Sequence, residues 1–223
     1  MSNTPEKVHA SNISRRYSNS NLTPVRFHDT PRSKTPNKDC NVSEIRSRLE
    51  IIIKMLQDNY AKWKLAEKRG ITICNAIEAI KTRVLSVQGK SKIPPSDFTL
   101  YPEDMNPYCD KLAVLARIFS DIVKSTQQSL RQLRSLMKLP GCRNEVFYRS
   151  WKIQQFVHFV ESLLDKYLKE CEVKQLVMEE LPHSTDRALI IRHSTAWEYP
   201  QYVDDEVTLS FKFLAEEINI KKR

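Results

Sequence analysis

His183, Ser184 and Asp186 place an imidazole, a hydroxyl and a carboxylate within four residues, the three groups that activate a nucleophile for acyl transfer. Neighbouring positions do not make a relay, and a Ser or Asp just ahead of an apolar run is more simply a helix N-cap. His193-Ser194 lies among apolar helical positions, where a packed or surface pair is the simpler reading. Glu179 and Glu180 show no metal-ligand spacing. The five cysteines, Cys40, Cys74, Cys109, Cys142 and Cys171, stand 29 residues or more apart, so neither C-x-x-C zinc pairs nor a disulfide framework is expected. There is no G-x-x-x-x-G-K-[ST] and no G-x-G-x-x-G, and glycine occurs only at 70, 89 and 141. These residues lead us to expect no enzyme, no cofactor and no metal site.

A different chemistry is concentrated near the start. Thr4-Pro5, Thr23-Pro24, Thr30-Pro31 and Thr35-Pro36 are four Thr-Pro steps. Lys7, Arg26 and Lys38 stand two residues after Pro5, Pro24 and Pro36, and Arg32 and Lys34 follow Pro31. Proline fixes its own φ and pushes the preceding threonine toward extended backbone, the geometry a proline-directed kinase accepts, and the basic residue resembles the cyclin-dependent kinase consensus. Thr4, Thr23, Thr30 and Thr35 are therefore candidate phosphorylation sites. Each phosphate adds about −1.5 to −2 charges. Residues 1–42 carry seven Lys/Arg against three Asp/Glu, so full phosphorylation reverses the sign of the segment. With few apolar side chains, residues 1–41 cannot offset the entropy of ordering, and a disordered tail is expected.

Charge divides along the rest of the chain. The formal net charge is +9, yet residues 142–223 hold twelve basic against fourteen acidic side chains, so the surplus belongs to the first two thirds. That surplus suits acidic protein surfaces or nucleic acid. No stretch approaches the roughly 18 apolar residues of a spanning helix, and no secretory-type apolar run opens the chain. An intracellular protein with reduced thiols is expected.

Periodicity predicts an all-α body over 42–223. From Ser43, a candidate N-cap, Ile45, Leu49, Ile52, Leu56, Asn59, Trp63, Ala66, Gly70, Ile73, Ile77, Ile80, Val84 and Val87 keep alternating steps of four and three, a coiled-coil seam. A loop at Gly70 would reset the phase, so one helix over about 43–88 is expected. Asn106 and Pro107 begin a second over about 106–139, with Tyr108, Leu112, Leu115, Phe119, Ile122, Thr126, Ser129, Leu133 and Leu136 on its seam. A third over about 150–181 presents Ile153, Val157, Val160, Leu164, Tyr167 and Cys171. Short helices follow over about 186–198 and 204–219, capped by Asp186 and Asp204, although Val207, Leu209, Phe211 and Phe213 also alternate as a strand would. Three long stripes bury best against one another in an elongated antiparallel bundle. The first helix is longer than the others, so part of its seam should overhang, bend at Gly70, or meet another protein.

Two stretches resemble the cyclin-dependent kinase 2-interacting protein family. Lys62 to Lys81, KWKLAEKRGITICNAIEAIK, carries the K-W and G-x-T-x-x-N-x-I-x-x-I-K of that pattern. Glu180 to Val203, ELPHSTDRALIIRHSTAWEYPQYV, carries its E-L-x-H-x-x-D step and an ending like W-x-x-x-P-Y-V, here with one residue between Pro200 and Tyr202. The resemblance implies a nuclear adaptor rather than an enzyme. Its implied partners are cyclin-dependent kinase, and AAA-type ATPase subunits of the spermatogenesis-associated class with the other subunits of their complex, acting in replication, genome maintenance and large ribosomal subunit maturation.

An adaptor needs anchors. Large aromatics dominate interfaces, so Trp63, Trp151 and Trp197 are candidates, with Gly70 at the expected overhang and Pro200 and Tyr202 in the C-terminal aromatic region. The alternative is nucleic-acid binding by Lys62, Lys64, Lys68, Arg69, Lys81 and Arg83 on the first helix, through phosphate contacts that weaken steeply with salt.

Overall fold

The seam through Gly70 forms one helix. In the computed structural model, which describes residues 42–88 and 101–219, α1 (Val42–Gln88) has 47 residues and runs about 70 Å at 1.5 Å per residue. A 3-10 turn (Glu103–Met105) leads into α2 (Asn106–Met137), then α3 (Ile153–Glu180), α4 (Arg187–Glu198) and α5 (Asp205–Ile218). Among the described residues there is no β-strand, only an isolated antiparallel bridge between Val146 and Lys152. The Thr-Pro sites and Cys40 lie outside the described residues.

α1 and α2 pair antiparallel: Asn59 Nδ2 donates to Ser125 Oγ at 2.9 Å near their middles, and Arg83 near the end of α1 meets Asp104 just ahead of α2 at 2.8 Å. Asn59 thus has a defined polar partner on the seam, as a register-fixing residue should. α3 returns antiparallel to α2, with Arg134 and Glu161 at 2.8 Å. Every α2 seam position from Leu112 to Leu136 is buried, Thr126 and Ser129 included. Both hydroxyls reach back to carbonyls one turn earlier, Ile122 O and Ser125 O, so the buried polar atoms are satisfied.

α1 obeys its four-three pattern only as far as Gly70. Beyond it Cys74, Ile77 and Lys81 are buried while Ile73 and Ile80 are half-buried. The drift by one position is that of a straight 3.6-residue helix, which loses step with a 3.5-residue repeat. The expected overhang is largely covered by this chain itself: α4 packs across the second half of α1 and against α3. Val87 remains exposed.

Helix starts differ in detail from expectation. Ser43 lies inside α1, where its carbonyl accepts a hydrogen bond from Ser47 Oγ, and Asn106 is the first residue of α2 rather than its cap. Asp186 occupies the cap position of α4 but its side chain makes no capping hydrogen bond. Asp204 does cap α5, accepting from Glu206 N and Val207 N. α3 begins three residues later than expected because Ser150 and Trp151 are held outside it by Glu217, whose carboxylate accepts from Ser150 N at 2.6 Å, Ser150 Oγ at 2.8 Å and Trp151 N at 2.8 Å. Residues 207–213 are helical: Val207, Phe211 and Leu214 face inward while Leu209 and Phe213 face solvent, as 3.6-residue periodicity requires.

Candidate functional site

Four helices each send one aromatic ring to a common centre. Tyr167 of α3 stacks on Trp63 of α1 with centroids 4.4 Å apart, Trp63 tilts against Phe119 of α2 at 4.5 Å, and Phe119 meets the edge of Trp197 of α4 at 5.8 Å. All four are fully buried. Trp197 packs against α1 at Gly70, close enough that a Cβ there would stand 2.2 Å from three atoms of the indole. Its Nε1–H donates to Glu67 O at 3.1 Å. Gly70 is therefore demanded by the approach of a ring to a helix backbone, not by a turn. Three turns further along, Lys81 Nζ donates to Pro182 O at 2.9 Å, and burial holds the ammonium pKa below its ordinary value.

Beneath the end of α4 is a charged pair that an apolar pattern cannot reveal. Glu170 and Lys174, one turn apart on α3, are both 0% exposed and 3.0 Å from each other. Lys174 Nζ donates to Trp197 O at 2.8 Å and lies 5.2 Å from the indole centroid, so a cation meets the carbonyl end of α4. Glu170 Oε2 accepts from Tyr202 N at 2.9 Å. The pair thus ties α3 to both sides of the turn that follows α4. Cys74 faces this region, and burial pushes its thiol up to about 12, which keeps it an unreactive packing group.

The two stretches that carry the family resemblance accordingly meet in one buried joint, Trp63, Gly70 and Lys81 from the first and Pro182 and Trp197 from the second. This corrects three anchor candidates: Trp63, Gly70 and Trp197 are interior residues, because the stripe expected to overhang is the seat of α4. Trp151 is half-buried against Phe156, with centroids 4.9 Å apart, and Phe159, at 6.1 Å. Pro200 is half-buried, and Tyr202 lies at the surface with Lys169 Nζ 5.9 Å from its ring. His183, Ser184 and Asp186 do not form a relay. The imidazole stacks on Tyr101 at 5.5 Å, Ser184 Oγ donates to Glu180 O at 2.9 Å, and Asp186 faces solvent. Among the described residues no group of His, Cys, Asp and Glu could hold a metal ion, and no helix is long and apolar enough to cross a membrane.

The basic residues of α1 do not form one surface either. Lys81 is buried, Lys64 pairs with Glu67 and Arg83 with Asp104. Lys62 and Arg69, seven residues apart, share an exposed face, and Arg69 lines one of two concavities on the flank between α1 and α2. Toward one end a concavity of about 500 Å³ is lined by Arg48, Ile51, Arg131 and Gln132 among others. Toward the other, one of about 510 Å³ is lined by Arg69, Ile73, Lys111 and Val114 among others. Ile51, Leu65 and Val114 are 68%, 50% and 55% exposed. Ile51 and Leu65 are fourteen residues apart and so share an edge of α1; that spacing, off the seam, was the available signal for the groove.

No family model matches the chain. Over 183 residues it is 22% identical to cyclin-dependent kinase 2-interacting protein of Homo sapiens, covering 72% of this chain and 86% of that protein. It is 21% identical to the Bos taurus protein of the same name, covering 70% of this chain and 84% of that protein, and 22% identical to the Mus musculus one, covering 74% and 88%. The chain is a distant relative of these proteins.

Proposed function

We propose that this chain is a non-enzymatic nuclear adaptor of the cyclin-dependent kinase 2-interacting type. In this reading it is a subunit of an assembly with AAA-type ATPases that serves replication, genome maintenance and maturation of large ribosomal subunits, and a cyclin-dependent kinase binds it and phosphorylates Thr4, Thr23, Thr30 and Thr35. The observation that carries the proposal is the joint. The residues on which the resemblance rests lock α4 across α1, and the similarity to the three relatives spans most of their length, so a shared scaffold supports a shared kind of work.

Affinity capture of the full chain from dividing cells, with and without nuclease, tests the reading. Recovery of ATPase and kinase subunits under both treatments is expected, together with phosphate on the four threonines. Partners that disappear on nuclease treatment, or a chain that captures neither class of subunit, would overturn it. Direct nucleic-acid binding is the less favoured reading, because half of the six basic residues it relied on are buried or already paired.

A further inference from the structure

We infer that the open groove between α1 and α2 is the docking site for an acidic amphipathic helix of a partner protein. The inference rests on the adaptor reading only for the premise that a protein partner exists. The flank has the right form: Ile51 of α1 and Val114 of α2 each line one of its two concavities and are left in water by their own bundle, and exposed Leu65, two heptads from Ile51, falls between the concavities by helical spacing. A third helix laid between α1 and α2 would bury those side chains in the helix-in-groove manner. Ile51 and Thr72, which mark its two concavities, are separated by about 30 Å of helix, so the occupant needs about 20 residues.

Charge selects the occupant. The two concavities are lined by Arg48, Arg69, Lys111 and Arg131 against Asp110; Arg48 is already paired with Glu44, and exposed Asp58 and Asp121 stand at helical spacing between the concavities, so Arg69, Lys111 and Arg131 carry the basic excess. A helix with a leucine-like stripe and Asp or Glu on both flanks meets apolar floor and basic rims together. The chain's own segments fit less well. Residues 1–42 carry seven basic against three acidic side chains, which sets like charge against like before phosphorylation, and with or without phosphate their prolines and few apolar side chains offer no helical apolar stripe for the floor. A second copy applied groove to groove does the same. α5, which begins with Asp205 and Glu206, has 14 residues and at about 21 Å falls short of the groove. Nucleic acid would satisfy the rims but leave the apolar floor wet.

The test places a photo-crosslinking phenylalanine derivative at position 65 or 114 of the full chain in cells, with position 213, an exposed aromatic position on α5, as control. Crosslinks from 65 and 114 are expected in one segment of another polypeptide that is amphipathic in a helical repeat and rich in Asp and Glu. A synthetic peptide of that segment should bind the purified chain, and Leu65→Asp, Val114→Asp and Arg69→Glu should each weaken it about tenfold or more. Arg69→Glu changes only a solvent-facing side chain, so it keeps the test decisive if the apolar variants fold poorly; unchanged circular dichroism melts identify those that fold. Crosslinks to residues 1–41, to a second copy, to nucleic acid, or to a basic segment would overturn the inference. So would captured partners with no crosslink in the groove, a result that leaves the adaptor reading standing. A chain that captures no protein partner overturns both.

Discussion

Substituting Gly70 by alanine separates packing from propensity by the sign of its effect. In an exposed helix interior Gly→Ala stabilises by about 0.8–1 kcal/mol, since alanine loses less backbone entropy. At position 70 the new methyl would stand 2.2 Å from Cε2, Cζ2 and Nε1 of Trp197, where ordinary contact is about 3.5–4 Å. The indole must therefore withdraw by more than 1 Å from a fully buried site. Overpacking of this kind costs about 1–3 kcal/mol, and loss of the Nε1–H bond to Glu67 O removes about 1 kcal/mol more. After the propensity gain, Gly70→Ala should destabilise by about 1–3 kcal/mol, read as a lower urea midpoint at unchanged slope by circular dichroism. Combining it with Trp197→Leu should remove most of the penalty, giving a coupling above about 1 kcal/mol in a double-mutant cycle. If Gly70→Ala instead stabilises by the propensity term alone, Trp197 does not lie on α1 and the joint described here is wrong.

Lys174→Met leaves Glu170 charged at a fully buried position and should cost about 3–5 kcal/mol, whereas Glu170→Gln combined with Lys174→Met should cost less than the two singles together; urea denaturation measures both. Burial works to raise the Glu217 pKa, but the hydrogen bonds from Ser150 and Trp151 outweigh it and hold the carboxyl below its ordinary value of 4.5. The stability it contributes is therefore present above the unfolded value and lost as pH falls through the folded one, so the gap in melting temperature between wild type and Glu217→Gln should be constant near neutrality and close below about pH 4.5. With its thiol pushed up to about 12 by burial, Cys74 should resist iodoacetamide at pH 8 in the native protein and label at once in denaturant, as peptide mass spectrometry would show. Native labelling of Cys74 would place α1 and α3 further apart than they are here.

The parts of the fold written in apolar periodicity were legible. The three long helices and the eight α2 seam positions from Leu112 to Leu136 follow from side chains repeating every three or four residues, a pattern with one physical solution. The seat of α4 was not, because its signals belong to other categories. Gly70 reads as a possible break, and only a ring from 127 residues away explains it. Glu170 and Lys174 continue the α3 seam at the correct spacing, yet charge excludes them from any apolar count, so Cys171 stood in their place. Lys81 looked like a solvent-facing cation for the same reason. Trp63 and Trp197 were singled out correctly as large aromatics, but size alone does not distinguish an interface from a core; the distinguishing fact is the second helix that each ring touches.

That distribution bears on what a 22% identity can transmit. Gly70 and Trp197 depend on each other, since a side chain at one position excludes the ring at the other. Glu170 and Lys174 are likewise coupled to each other, whereas Lys81 and this pair reach the C-terminal segment through backbone atoms of Pro182, Trp197 and Tyr202. Coupled buried positions cannot drift singly without cost, so in this chain the crossing of α4 over α1 is fixed by residues that must change together. The groove residues obey no such constraint. Arg48, Arg69, Lys111 and Arg131 each touch solvent, and exchanging any one shifts stability little, while a helical ligand lying between them would feel every change. Partner choice in such a scaffold is therefore set by charges on the groove rim, independently of the joint. Two relatives sharing the joint but differing in sign along that rim should bind differently charged helices, and exchanging these four side chains for acidic ones should exchange the partner while leaving the melting temperature within a few degrees.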